Sequence, residues 1–307
     1  MSENHGVLIL HKPAGVTSHD CVAKVRRLFQ TKRVGHTGTL DPEVTGVLPV
    51  CIGNATRIVE YLQEQPKKYQ VVMRLGFSTT TEDATGEVIQ QKPVDVKVIT
   101  EDILLTLFER FTGEIDQVPP MYSAVKVNGQ RLYDLARQGV VVERKARKVT
   151  IYNLELHSFG IGEEDTMLVS FSCRCSKGTY IRTLCVDLGE ALGYPAHMAS
   201  LIRTESGSFT IDQATPLAEV EQMAVQAEDL SKLLVPMSES LSFLPRYDIP
   251  LSRKSAVLNG LTTSLPEFSA EVGSLVRLYS GDQLLGIHLV CQGPHGLYAK
   301  PEKVFQS

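Results

Sequence analysis

Apolar positions along the chain follow two spacings. Val22, Val25, Leu28 and Phe29 recur at three- and four-residue steps, which predicts a helix over 18–29. Thr17 and Asp20 supply a capping-box start for it. The same spacing predicts a helix over 101–111, with Ile103, Leu104, Leu107, Phe108 and Phe111 inward and Gly113 beyond its end. A third helix is expected over 179–192, built on Ile181, Leu184, Cys185, Leu188 and Leu192 and closed by Gly193. Elsewhere the period is two. Tyr69, Val71, Met73, Leu75 and Phe77 alternate through a strand over 69–77, broken only by Val72 on the other face. Val169, Phe171, Cys173 and Cys175 share one face of a strand over 168–175. Ser274–Tyr279 and Leu284–Val290, joined through Ser280-Gly281-Asp282, read as a hairpin. Helices and antiparallel strands mixed in this way make an α+β domain over 1–249. Short strands and turns after Pro245 and Pro250 make a small β domain over 250–307.

Composition narrows the class. The chain has 307 residues, 43% of them hydrophobic, enough for about two packed domains, so a disordered chain, a collagen and a disulfide-knit miniprotein are excluded. Six cysteines with no Cys-x-x-Cys pair are expected to be reduced and mostly buried. The apolar run Gly6–Leu10 is too short for a signal segment, and nothing approaches a membrane span, so a soluble cytoplasmic protein is expected. The net charge of −4 is a sum of unlike blocks. Residues 1–69 hold nine basic against six acidic side chains, and residues 121–150 hold seven against two. Residues 78–118 hold nine acidic against three basic, and residues 211–240 six against one. Phosphate contacts respond to local basic surface, so the negative total does not exclude nucleic acid.

Four segments carry candidate chemistry. Gly35-His36-Thr37-Gly38-Thr39-Leu40-Asp41-Pro42 leads into Glu43–Val50, with glycines at 35, 38 and 46. Pro42 pushes Asp41 toward an extended backbone, and a short carboxylate on a stiff loop is readily aimed. It suits a nucleophile or an acid/base. A phosphate-cradling loop fits less well, because no Gly-Lys-Ser/Thr follows and Asp41 would repel phosphate. An ordinary Asx turn before proline competes, and the residues alone do not separate it from a catalytic loop. In Cys175–Thr183, Arg182 falls in the first turn of a helix, where the dipole disfavours a cation. It therefore needs an anion, and an Arg–Asp pair would orient a carboxylate and keep it ionised; a snorkelling surface arginine is the alternative. Pro119–Lys126 opens a stretch that mixes Met and Tyr with Lys and Arg, including Arg131 and Tyr133. That suits a nucleic-acid surface, or an ordinary exposed loop and helix. Tyr69, after Lys67-Lys68, is placed either to stack on a base or to sit half-buried in its strand.

Seven segments, in order, carry a resemblance: Gly6–Gly15, Gly35–Pro49, Lys67–Val71, Thr81–Gly86, Pro119–Gly129, Ser176–Leu184 and Ala199–Gly207. Together they resemble the bacterial tRNA pseudouridine-55 synthase family, the TruB type. The resemblance covers about residues 6–207. It implies a catalytic domain with a mixed, mainly antiparallel sheet and flanking helices, an RNA-clamping insertion near 119–150 and a PUA-like C-terminal domain. It implies isomerisation of one uridine, at position 55 in the T-loop of tRNA, by base flipping and carboxylate-dependent cleavage and re-formation of the glycosidic bond. The reaction needs no redox change or energy source, so no nucleotide cofactor and no metal is implied. The implied partner is the tRNA T-arm, and a monomer is expected. By the resemblance Asp41 is the catalytic carboxylate and Arg182 pairs with it. Tyr69 stacks on the target base, Tyr180 and Leu201 line the uracil pocket, and His36 contacts RNA near the extruded base. Lys12 and Asp83 match residues of the pocket and its support. Two alternatives share the scaffold: a synthase for another RNA site, and a non-catalytic RNA binder or tRNA-folding chaperone.

Overall fold

The computed structural model describes residues 4–306 except Ala124, Asn128 and Val141. The side chains of Lys126, Val127, Arg131 and Arg137 also lie outside the described residues, and with them part of the expected basic surface over 121–150. Seven longer strands build the first sheet: β1 (Gly6–Lys12), β2 (Thr45–Ile52), β3 (Lys67–Leu75), β4 (Gly113–Gln117), β5 (Arg147–Ile161), β6 (Met167–Cys175) and β7 (Ala196–Ser206). Their order is β1-β2-β7-β3-β6-β5-β4, and short strands bring the sheet to eleven. Pairing is antiparallel except where β7 meets β2 over Ile202–Arg203 and where Thr215–Pro216 joins β1. The mixed, mainly antiparallel sheet of an α+β fold is thus present.

β1 explains its own sequence. Leu8 and Leu10 enter the main core, while Val7 and Ile9 enter a second cluster on the opposite face. A strand buried on both faces reads as an unbroken apolar run. Helix α1 (Ser18–Leu28) packs Cys21, Val22 and Val25 against the main core and begins with the Thr17–Asp20 capping box. Helix α2 (Glu101–Phe111) buries Leu104, Leu107 and Phe108, with Phe108 against Phe171 at 5.1 Å between ring centroids. Ile103 departs from its expected place: at the margin of the stripe, it is exposed. Helix α3 (Ile181–Ala191) starts two residues later than expected. The strand expected over 69–77 also ends early. Gly76, at φ +121°, redirects the chain, and Phe77–Thr79 pairs instead with Val88–Gln91.

A second sheet of five strands contains β8 (Arg246–Asp248), β9 (Thr263–Ser264), β10 (Leu275–Ser280), β11 (Gln283–Gly293) and β12 (Gly296–Val304). It begins slightly upstream of the expected residue 250 and has its own core around Ile249, Val276 and Leu285. Ile287 and Phe305 join the cluster of Val7 and Ile9, so this sheet covers part of one face of the first. All six cysteines are free, and only Cys291 is not fully buried. Among the described residues no helix is long and apolar enough to cross a membrane.

Candidate active site

The loop after Val34–His36 is fastened before it reaches Asp41. Ser18 Oγ accepts from the Leu40 amide at 2.9 Å and donates to the Leu40 carbonyl at 3.1 Å. Just beyond Asp41, the Pro42 carbonyl accepts from Lys12 Nζ at 2.8 Å and from the Gly15 amide at 3.0 Å. Lys12, wholly buried at the end of β1, also donates to the carbonyls of Pro13 and Val16. Lys12 is therefore a strut beneath the Asp41 loop. Burial lowers its pKa; Cys21, Glu43 and Asp41 oppose that shift.

Asp41 and Arg182 meet directly. Arg182 Nε lies 3.1 Å from Asp41 Oδ2. Nη1 donates to the Thr81 carbonyl at 3.0 Å and Nη2 to the Tyr122 carbonyl at 2.8 Å. All three nitrogens of the guanidinium are engaged, and its plane is fixed by three separate segments. The Arg182 side chain is 6% exposed, which rules out a snorkelling role, whereas the Asp41 side chain is 42% exposed. The carboxylate is thus held from behind and reachable from in front. Burial among the surrounding groups raises the Asp41 pKa, Arg182 opposes the rise, Asp83 adds to it and Lys12 lowers it.

The other expected residues surround this pair at different distances. Asp83 does not bond Asp41; its Oδ1 accepts from Thr81 Oγ1 and from the amide and hydroxyl of Thr85, closing its own turn. That turn carries the Thr81 carbonyl bound by Arg182. Tyr180 caps α3, and its amide and carbonyl are both held by the Gln117 side chain, at 2.8 and 3.0 Å. Leu201 lies on β7 opposite Val71 of β3, two residues along from Tyr69. The Tyr69 side chain is only partly buried, and desolvation pushes its pKa up to about 12. His36 Nδ1 accepts from the Gly38 amide at 3.2 Å, and its ring meets the edge of His19. Burial, with His19 and Arg203 nearby, lowers its pKa to about 4, so the ring is neutral near pH 7. With Nδ1 accepting, the proton sits on Nε2.

Two residues of this environment escape a reading of the sequence. Gln117 is buried at the end of β4, where it ties the root of the 119–150 segment to Tyr180. Arg203 is 1% exposed and bonds the carbonyls of Val47 and Gly38. Charged residues are rarely buried without a partner of opposite charge, so neither spacing nor composition marks it. The signal is indirect, in glycines 38 and 46, which both lie against it. Among the described residues, no group of three or more His, Cys, Asp or Glu side chains is placed to hold a metal ion.

Similarity to known proteins covers most of the chain. Residues 26–181 match the model for the TruB family pseudouridylate synthase (N terminal domain). Residues 182–242 match the tRNA pseudouridylate synthase B C-terminal domain. A tRNA pseudouridine synthase B of Geobacillus thermodenitrificans is 48% identical over 305 residues, covering 98% of this chain and 99% of that one. One of Bacillus subtilis is 50% identical over 274 residues, covering 89% and 88%. A solved Cbf5–Nop10–Gar1 complex contains a chain that aligns with a TM-score of 0.74 at 30% identity, covering 99% of this chain and 85% of its own. An H/ACA RNP bound to a substrate RNA containing 2′-deoxyuridine aligns with a TM-score of 0.75 at 27% identity, covering 99% and 86%.

Proposed function

The chain belongs to the TruB family of pseudouridylate synthases, and from that premise we propose that it isomerises uridine to pseudouridine at position 55 in the T-loop of tRNA. It is a tRNA pseudouridine synthase, an isomerase whose product has the atoms of its substrate. The N1–C1′ bond breaks, the uracil turns, and a C5–C1′ bond forms. C5 loses its proton and N1 gains one, so nothing is added or removed.

A stacked base is out of reach of a fixed carboxylate, so the uridine first leaves its stack, at a cost of about a few kcal/mol. Tyr69 offers a partly exposed ring for the extruded base to stack on, with Tyr180 and Leu201 lining the pocket. The neutral His36 carries a donor on Nε2 toward the RNA. Asp41, ionised, adds to the anomeric carbon or stabilises positive charge there while the uracil departs as an anion. Arg182 aims the carboxylate and favours its charged form. Exposed Arg26, Arg27, Lys32 and Arg33, at the end of α1 and in the turn leading to His36, attract the phosphates of the T-arm. The second sheet, PUA-like, adds RNA contacts of its own.

One observation carries the proposal. The only reachable part of the Asp41–Arg182 pair is the carboxylate, and everything behind it is fixed. The test is to incubate the purified protein with unmodified tRNA and map pseudouridine by carbodiimide-dependent primer stops. A stop at position 55 is expected. No stop would overturn the reading, and a stop elsewhere would assign the enzyme to another RNA site.

A further inference from the structure

The turn after Phe77–Thr79 carries a glutamate where its backbone favours glycine. Glu82 has a φ of +62°, in the left-handed region. That conformation costs energy for a residue with a Cβ and is usually left to Gly, Asn or Asp. Three bonds hold Glu82 in it. Its amide donates to the Thr79 carbonyl at 3.2 Å, and its carbonyl accepts from the Met198 amide of β7 at 3.0 Å. Its half-buried side chain reaches α3, where Oε2 accepts from Thr183 Oγ1 at 2.6 Å. Thr183 is 6% exposed, so this bond is sheltered from water.

Thr183 follows Arg182, and Glu82 follows Thr81, whose carbonyl accepts from Arg182 Nη1 at 3.0 Å. Two adjacent residues of α3 thus grip two adjacent residues of the turn. The Thr81 carbonyl and the Glu82 amide belong to one planar peptide group, so anchoring Glu82 fixes the direction of the carbonyl that Arg182 uses. Asp83 has a different task, since its carboxylate bonds Thr81 and Thr85 within the turn itself. Asp83 sets the shape of the turn, and Glu82 sets its seat on α3. The Glu82 carboxylate also meets the first turn of α3, where the helix dipole favours an anion. A glycine at 82 would suit the backbone but leave the Thr183 hydroxyl without this acceptor.

We propose that Glu82 and Thr183 are positioning residues for the isomerisation: their hydrogen bond seats the Thr81 peptide against Arg182, and so keeps the guanidinium aimed at Asp41. The proposal rests on the reading of the chain as a T-loop uridine isomerase. Both side chains act through Arg182 rather than on the substrate. The strained backbone at Glu82 is the cost of bringing a carboxylate to Thr183 from a position that glycine would fill more easily.

The test is single-turnover pseudouridine formation on unmodified tRNA by the wild type, Thr183→Val, Thr183→Ser, Glu82→Gly and the double variant of Thr183→Val with Glu82→Gly, with tRNA affinity measured alongside. Thr183→Val keeps the shape of the side chain and removes its hydroxyl. It is expected to slow the reaction about 10- to 10²-fold, with tRNA affinity within about twofold of the wild type. Thr183→Ser restores the hydroxyl and should recover most of the rate. Glu82→Gly should slow the reaction as Thr183→Val does, although it relieves the backbone, so the loss cannot come from a strained turn. The double variant should be no slower than the slower single variant, because both remove one bond. A wild-type rate for Thr183→Val or Glu82→Gly, a Thr183→Ser as slow as Thr183→Val, a loss confined to affinity, or losses that multiply in the double variant would overturn the assignment. If Thr183→Val does not fold, Glu82→Gly decides alone: a slower rate at unchanged affinity supports the latch, and an undiminished rate overturns it. An inactive wild type would instead overturn the T-loop reading itself, a result distinct from an active wild type that is indifferent to Glu82 and Thr183.

Discussion

A carboxylate that reacts in its charged form faces a conflict, since the surroundings that aim it also desolvate it. At Asp41 burial raises the pKa and the Arg182 guanidinium holds that rise in check. The acid limb of the pH–rate profile is therefore expected above the ordinary carboxylate value of 3.8, with activity lost as pH falls through it. Arg182→Gln removes the opposing charge, so the limb should move to higher pH as the rate falls; a limb that stays in place would mean that Arg182 does not tune Asp41. Lys12 supports the same loop from beneath. Lys12→Met would orphan the carbonyls of Pro13 and Val16 and leave that of Pro42 with the Gly15 amide alone. An expected loss of about 2–4 kcal/mol follows from such buried unsatisfied groups, readable as a shift in urea midpoint. Asp41 and Arg182 stood out in the sequence as candidates, a carboxylate pinned before proline and a cation at the wrong end of a helix, but the residues alone left an Asx turn and a snorkelling arginine open, and the roles came from the resemblance. Lys12 was recognisable by resemblance, but its role as a strut was not, since the carbonyls it binds lie partly on a distant segment.

At the scale of elements, sequence and structure agree where local chemistry decides. The Thr17 cap, the alternation through β3 and β6 and the Gly281 turn are all properties of a few adjacent residues. They diverge where a distant partner decides. At Gly76, where β3 ends, Thr166 leaves no room for a side chain and the Pro195 carbonyl accepts from the amide, and nothing near residue 76 announces either. β5 runs for 15 residues, but beyond Ile151 only β6 pairs with it, so its outer half is exposed and mixed in composition. The glycine in β2 is the clearest case of a long-range demand. Gly46→Ala places a methyl where the Arg203 carbonyl already sits, on a backbone that an L-residue rarely adopts. The expected cost is at least about 3 kcal/mol, seen as a lower melting temperature, with the Asp41 loop displaced. A melting temperature equal to that of the wild type would show that β2 and β7 can separate freely.

At the scale of the whole molecule, the charge of −4 conceals a division of labour. Of the nine basic residues in 1–69, Lys12 and Lys67 are internal struts and contribute no RNA surface. Lys24 and Lys68 are paired with Glu221 and Glu205. Arg57 is held at the Val304 carbonyl and over the Phe305 ring, and Arg26, Arg27, Lys32 and Arg33 remain exposed near the entrance to the Asp41 loop. The tRNA affinity should thus fall with salt, with a slope of log K on log salt of about −2 to −4 for such a cluster. A flat dependence would deny this patch an electrostatic role. The most direct measurement concerns the bond chemistry itself. Joining C5 to ribose expels the hydrogen that C5 carried, so tRNA transcribed with [5-³H]uridine releases tritium to water as it is isomerised. The wild type is expected to release one tritium per tRNA, and Asp41→Asn to release none while binding the same tRNA equally well. Undiminished release by Asp41→Asn, or no release by the wild type, would contradict a carboxylate-dependent uridine isomerase.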